Sequence, residues 1–243
     1  MSWLGDIHAR AYDLICGKHP QIRPWHFQWL AAKNLRCHLH SLLPQVQGRV
    51  LDVGCGDQPY KIWLKHLQEY VGLDVNSESQ ADVLIKPGEP WPFEDASFDA
   101  VLCTEVLQYT ANLKNTLSEI DRVLKSGGQL IVTVPFAYNM HSGVHDFWRF
   151  SVHGAAELFA DRYVIAEVKA LGGIGSTVGT LLLNWIEVQM TRHKPTRWLK
   201  GVLLPVWLVF CSWVNVMGWL MDLADGTKLF YVNVLLVAKK RCA

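Results

Sequence analysis

The sequence predicts an α/β fold: a parallel sheet with helices on both faces. Three observations carry that expectation. The run Val50-Leu51-Asp52-Val53-Gly54-Cys55-Gly56 is an apolar, β-branched stretch that ends in an acid and two closely spaced glycines. A second apolar run, Tyr70-Val71-Gly72-Leu73, closes on Asp74. Strand and helix signals then alternate from Arg49 to Pro135, the pattern of strands joined by helical crossovers.

Taken in order, residues 2–16 carry Trp3, Leu4, Ile7, Ala11, Leu14 and Ile15 at helical spacing, the mark of an amphipathic helix. Pro20 and Pro24 interrupt the next stretch, and 25–43 reads as a second helix with Trp25, Trp29, Leu30, Leu35, Leu39 and Leu42. The Val50 run is the first strand. A helix is expected after its glycine turn, and then the strand that ends at Asp74. Gln129 to Pro135 reads as a later strand, and Ser151 starts a helix over 151–159. Tyr163 to Lys169 and Leu229 to Val237 read as strands. Between them lie a helix candidate, Thr177 to Met190, and the uncharged run Val202 to Met221.

A strand, a tight glycine turn and a second strand ending in a carboxylate make a unit that binds an adenosine-containing cofactor at the carboxyl ends of its strands. Gly54 and Gly56 let the main chain approach a ligand closely. Asp74 is placed to accept ribose hydroxyls, and Asp52 to face a cationic ammonium directly or through water. A dinucleotide site expects a third glycine where this chain has Pro59, which disfavours a nicotinamide-dependent oxidoreductase.

The string Asp52-Val-Gly54-Cys-Gly56 resembles the first motif of the class I S-adenosylmethionine-dependent methyltransferases, of the type 11 kind. Trp91-Pro92-Phe93-Glu94-Asp95-Ala96-Ser97-Phe98-Asp99 looks like that family's turn into its fourth strand, and Leu117 to Gly128 like its helix end "RVLKPGG". Together these cover roughly residues 48–170 in family order. The resemblance implies a Rossmann-like, seven-stranded, mostly parallel sheet with an antiparallel last strand, and S-adenosyl-L-methionine as cofactor. It implies cofactor contacts from Asp52, Gly54, Cys55, Gly56, Asp57, Asp74, Val75, Thr104 and Glu105. The family's adenine-contacting acid has no clear counterpart, since Lys86-Pro87-Gly88-Glu89-Pro90 stands there; Asp82 is a substitute. Leu107-Gln108-Tyr109 replaces the family's "LEH", so a base is missing at that histidine.

Catalytic candidates follow the fifth strand. His145-Asp146-Phe147-Trp148-Arg149-Phe150 resembles a segment of bacterial methyltransferases found near polysaccharide and lipid-glycan genes. His145 is placed to take a proton, Asp146 to orient it, and Arg149 to hold a phosphate or carboxylate. A simple Asp146–Arg149 pair that fixes the loop is the alternative. His141 and His145 have helical metal-ligand spacing but no third ligand, so no metal is expected.

Composition sets further bounds. The chain has 243 residues, 50% apolar and 19% charged, with 11 tryptophans and a net charge of +1, which argues against nucleic acid as a partner. The 6 cysteines show no C-x-x-C spacing, as in a reducing, cytoplasmic setting. Asp6, Arg10 and Asp13 interrupt any signal-peptide core. Acids are absent between Asp13 and Asp52 and between Glu187 and Asp222, while basic residues remain in both intervals.

The run 202–221 is long enough to cross a bilayer as a helix. Two crossings would put Arg192, Lys194 and Arg197 on the outer side, against the usual charge bias. A helical hairpin lying in the cytoplasmic leaflet of the inner membrane is therefore preferred. A buried core helix or a homodimer surface is the alternative, and Pro205 is expected to kink or delay the helix.

The expected organisation is an N-terminal helical cap (1–45), a methyltransferase core (46–171), an apolar helical insertion (172–227), and a last core strand with a basic tail (228–243). The expected activity is membrane-surface methylation, on oxygen, of an amphiphilic or lipid-linked glycan or small-molecule acceptor. The rivals are a soluble small-molecule methyltransferase whose insertion is a lid or dimer surface, and a non-catalytic scaffold.

Overall fold

The computed structural model describes residues 12–140, 145–193 and 201–242. The chain divides into two compact units. One comprises His38–Phe136, Met140–Ala170 and Asn233–Ala243; the other comprises Met1–Cys37, Ala137–Asn139 and Leu171–Val232.

The first unit is built on a sheet. Its strands are β1 (Gln47–Val53), β2 (His66–Asp74), β3 (Val83–Leu84), β4 (Phe98–Thr104), β5 (Leu124–Pro135), β6 (Tyr163–Leu171, whose last residue falls in the other unit) and β7 (Asn233–Lys240). Their order is β3-β2-β1-β4-β5-β7-β6. β1 pairs in parallel with β2 and β4, β4 pairs in parallel with β5, and β5 pairs antiparallel with β7. The seven-stranded, mostly parallel sheet with its antiparallel strand is thus present.

The central strands read as continuous apolar runs because a parallel sheet is covered on both faces. Val50, Leu51, Val101, Leu102, Leu130 and Ile131 are all fully buried. Each such side chain contributes roughly 2 kcal/mol relative to leaving it in water.

The crossover from β1 to β2 differs from expectation. It holds a single 3-10 turn, Lys61–Trp63, and no α-helix. Gly54, Gly56 and Pro59 fall in the first half of the short connection, and all three oppose helix formation. Helices follow the later strands. The first, Leu113–Val123, is capped by Asn112, whose side chain accepts from the Asn115 amide. The second, Val152–Glu157, is capped by Ser151 accepting from the Gly154 amide, as its sequence position requires. The last strand starts at Asn233 rather than Leu229.

The second unit is helical. Residues 12–16 are helical; the remainder of the expected helix over 2–16 lies outside the described residues. The helix expected over 25–43 begins at Trp29 and runs to Leu42, crossing the boundary between the units after Cys37. Two long helices follow, Ile174–Arg192 and Leu204–Ala224. Pro205 sits in the first turn of the latter, where its missing N–H is harmless, so it starts the helix instead of kinking it.

The two long helices meet through small residues. A Cβ on Gly175 would stand 2.0 Å from the Gly218 carbonyl oxygen, so only hydrogen allows this approach. At the start of Ile174–Arg192, Asp222 accepts from the Ser176 amide at 2.9 Å and from its hydroxyl, and Asp225 accepts from the Ile174 amide at 3.1 Å. Acids at a helix N-terminus satisfy orphan amides and complement the helix dipole. Asn215 donates to the Pro24 and His26 carbonyls at 2.6 and 2.9 Å.

The other side of these helices is uncovered. Val178, Trp185 and Val188 on one helix, and Val206, Val209, Trp213, Val216, Leu220 and Leu223 on the other, are exposed. Only 28% of the apolar stretch of Leu204–Ala224 is buried, and that helix is long and apolar enough to cross a membrane.

Candidate functional site

The site forms where β1, β2 and β4 end. Asp52 lies near the tip of β1 and is 1% exposed. Its Oδ2 accepts from the Tyr70 hydroxyl at 2.6 Å, and its Oδ1 has no hydrogen-bond partner among the described residues. Leaving such a buried acceptor unpaired costs about 1–3 kcal/mol. Burial pushes the Asp52 carboxyl up to about 7, against the Tyr70 hydrogen bond, which pulls it down. The Asp74 charge adds a smaller upward push.

The turn that follows is set by close packing. Gly54 has a φ of 66°, and a Cβ there would stand 2.3 Å from Val106 Cγ2. Residues after β4 therefore lie directly against the glycine turn. Gly56 has a φ of 51°, with no heavy atom within 4 Å of its Cβ position. Its amide donates to Asp74 Oδ2 at 2.8 Å, while Asp74 Oδ1 accepts from the Val75 and Asn76 amides at 2.7 and 2.9 Å. A carboxylate has about four acceptor positions, so Asp74 organises the turn and retains one. Cys55 is buried, which pushes its thiol up to about 12. Asp57 and Val75 are exposed at the rim. Asp82 Oδ2 accepts from the Gly72 amide at 2.7 Å and from Gln58 Nε2 at 3.4 Å, bracing β2.

Thr104 ends β4, paired with Thr133 of β5. Glu105 has a φ of 56°, a conformation that costs energy for any residue with a Cβ and clusters at functional sites. Its amide donates to the Thr133 carbonyl at 2.9 Å, and its carboxylate accepts from Asn233 Nδ2 at 2.8 Å. Burial pushes the Glu105 carboxyl up to about 7; hydrogen bonds from Asn233 and Thr133 and the Arg149 charge pull it down. Tyr60, buried after the glycine turn, feels the charges of both Glu105 and Asp52. Two desolvated carboxylates, Asp52 and Glu105, thus both act on Tyr60.

The segment 145–150 is tied to this corner. The Phe147 amide donates to the Gln108 carbonyl at 2.8 Å, and Trp148 Nε1 donates to the Thr110 carbonyl at 2.9 Å. Arg149 Nη2 donates to Asp146 Oδ2 at 2.7 Å, and the Asp146 side chain is only 2% exposed. That pair raises the Arg149 guanidinium further and fixes the loop. His145 is exposed and stacks on Phe147, with centroids 5.9 Å apart. His141 lies outside the described residues. Among the described residues no three His, Cys, Asp or Glu side chains converge as a metal site.

The sequence missed Tyr70, Tyr60 and Asn233. Gln108 was visible only at the glutamate position of the family's "LEH" string. A separate cleft of about 830 Å³ is lined by Leu113, Leu117, Trp148, Phe159, Arg162 and Tyr163 among others, and by no residue of the glycine turn.

Residues 51–132 match the family described as "Methyltransferase domain". An uncharacterized protein of Methanocaldococcus jannaschii, MJ1123, is 33% identical over 95 residues, covering 36% of this chain and 45% of that protein. The chain therefore spans less than half of that curated relative. A malonyl acyl-carrier-protein O-methyltransferase of Erwinia billingiae is 29% identical over 215 residues, covering 71% of this chain and 84% of its own length. Among solved structures, phosphoethanolamine N-methyltransferase 2 of Haemonchus contortus with S-adenosylhomocysteine shares the fold. Its TM-score is 0.56 at 19% identity, over 98% of this chain and 58% of that one.

Proposed function

We propose that this chain, which carries the methyltransferase domain of the class I S-adenosylmethionine-dependent family, methylates an oxygen of an amphiphilic or lipid-linked glycan acceptor at a membrane surface. The observation that carries the reading is the unpartnered, buried Asp52 Oδ1 beside a glycine turn whose Gly56 opens on free space. S-adenosylmethionine fits that donor set, because it brings an ammonium, a ribose diol and a cationic sulfur. When bound, it supplies a methyl group already activated on a sulfonium.

The chain's own residues do the rest by alignment. Asp52 takes the ammonium, and its carboxyl ionises as it does so. Gly54 and Gly56 bring the main chain close to the amino-acid tail, with Cys55 and Asp57 flanking. Asp74 receives a ribose hydroxyl at its remaining acceptor position, beside Val75. Thr104 and Glu105 line the lower edge. His145 takes the acceptor proton, and the Asp146–Arg149 pair holds the loop that presents it; Arg149 also offers charge to a phosphate or carboxylate on the acceptor.

The membrane part rests on the helical unit. Its exposed valines, leucines and tryptophans lie on helices whose run 202–221 carries no charge, and tryptophan suits a membrane interface. A hairpin lying in the cytoplasmic leaflet of the inner membrane accounts for that face. The test is methylation of a bacterial lipid extract with labelled S-adenosylmethionine, comparing wild type with Asp74→Ala. Label is expected in the lipid phase from wild type alone. Equal label from both proteins would remove Asp74 from the site, and recovery of the protein without detergent in the soluble fraction would move the acceptor off the membrane.

A further inference from the structure

Two buried side-chain amides beside Glu105 stand half-used. Gln108 is 3% exposed and Asn233 is 5% exposed. Gln108 Nε2 donates to the Glu105 carbonyl oxygen at 2.7 Å, and Asn233 Nδ2 donates to Glu105 Oε1 at 2.8 Å. Both acceptors are oxygens, so both amide orientations are fixed with the nitrogens toward Glu105. Their carbonyl oxygens, Gln108 Oε1 and Asn233 Oδ1, have no hydrogen-bond partner among the described residues. Neither the glycine turn nor the family motif explains them.

Their location gives them a use. The main-chain carbonyl of Gln108 holds the Phe147 amide at 2.8 Å, so the residue joins the His145–Arg149 segment to the tip of β4. Val106 touches the Cβ position of Gly54, which puts the segment after β4, with Glu105 and Gln108, against the turn proposed to hold the methyl donor. Glu105 holds a left-handed conformation, with a φ of 56°, between these partners. A carboxylate and two fixed amide oxygens are three acceptors, and the cation that acts on Glu105, Arg149, is itself paired with Asp146. Such a set is matched by a group that only donates hydrogen bonds.

We propose that Glu105, Gln108 and Asn233 form the acceptor-recognition subsite, which holds the hydroxyl or protonated amine of the molecule to be methylated next to the transferring methyl. The proposal rests on the methyltransferase reading above and deepens it. It assigns the choice of acceptor to residues of β7 and of the segment after β4. Gln108 and Asn233 are positioning residues, and Glu105 is the charged member that favours a donor-bearing acceptor over an ether, ester or bare carbon.

The experiment needs no knowledge of the acceptor. Sinefungin is an analogue of S-adenosylmethionine in which a carbon bearing a protonated amine replaces the methylated sulfonium, so its amine points where the methyl would be delivered. S-adenosylhomocysteine lacks that group. Calorimetry of the full chain in detergent is expected to give sinefungin about tenfold tighter binding than S-adenosylhomocysteine, the gain for one charge-assisted hydrogen bond. Glu105→Gln, Gln108→Leu and Asn233→Leu are each expected to cut that preference to about twofold or less, and Gln108→Leu and Asn233→Leu to leave S-adenosylhomocysteine within about twofold of wild type. If Gln108→Leu fails to fold, Asn233→Leu decides the matter. Absence of any preference in wild type overturns the proposal, as does an equal loss of both ligands in the variants, which would mean the trio serves the donor or the fold. Failure of wild type to bind either ligand sinks the methyltransferase reading itself, and the proposal with it.

Discussion

At the strand tips polar groups are buried and held one by one, whereas along the two long helices apolar groups are exposed and polar ones are spent on joining the helices. Asp52 is 1% exposed with one oxygen unpaired, while Val209 is 70% exposed. Each arrangement costs stability where it stands. The unpaired Asp52 oxygen suits a cation-bearing small molecule, and the proposed membrane contact would cover the exposed helix face. One region thus spends its polar groups on a site, the other leaves its apolar groups uncovered.

The largest expected effect comes from closing the gap between the long helices. Gly175→Val places a side chain against the Gly218 carbonyl, only 2.0 Å from its Cβ position. It is expected to cost about 3 kcal/mol or to prevent the helical unit from forming. Denaturant unfolding of the variant checks this, and an unchanged midpoint would show that the helices part easily. At the other site, Gly54→Ala drives a Cβ into Val106 and forces a left-handed alanine. Donor affinity is expected to fall about 100-fold, with most of the overall stability retained. A calorimetric titration reads it directly.

Asp52→Asn has two opposed effects. The folded carboxyl titrates near 7, above its ordinary value, so the fold holds its proton more tightly than the unfolded chain does. Stability of the ligand-free protein therefore falls as pH rises from about 4 to about 7, and stays low above that. Removing the charge is expected to raise stability at pH 8 by on the order of 2 kcal/mol and to flatten that pH dependence. Donor affinity is expected to drop at the same time. Thermal unfolding at pH 5 and pH 8 gives the first readout; destabilisation at both would contradict it.

Smaller effects follow. Arg149→Lys keeps the charge but loses the fork that grips Asp146, and turnover is expected to fall about tenfold with donor affinity unchanged. Val209→Glu, on the exposed helix face, is expected to change stability by less than about 0.5 kcal/mol. It should nonetheless weaken binding to phosphatidylcholine–phosphatidylglycerol vesicles about tenfold. Flotation of both proteins with such vesicles measures the difference, and equal flotation would remove the membrane from the account.

Much of the sheet was legible because its central strands are buried on both sides and their runs are apolar without alternation. Val50 to Val53 and Leu130 to Val134 needed no tertiary information. The β1–β2 crossover misled because a helix is the usual connector, yet two glycines and Pro59 leave too little chain of helical character. The glycine turn and Asp74 were legible as a local motif. Asp74's hold on the Gly56 amide follows from the same spacing, but its occupancy does not, since the Val75 and Asn76 amides also claim it. Asn233 was out of reach: it meets Glu105 across 128 residues of sequence, by way of an antiparallel strand. Along residues 202–222 the small and polar residues Asn215, Gly218 and Asp222 were legible as the side that packs on protein, and Trp213 and Trp219 as the outward side; Trp207, read with them, is instead buried.

The most direct measurement is calorimetric titration of S-adenosylmethionine into the intact protein in detergent, at pH 6 and pH 8, in two buffers of different ionisation heat. Saturable binding that tightens with pH and releases protons is expected, because Asp52 must ionise to meet the ligand's positive charge. Absence of binding at both pH values, or binding indifferent to pH and buffer, would contradict the assignment of the strand-tip carboxylates to a cationic methyl donor.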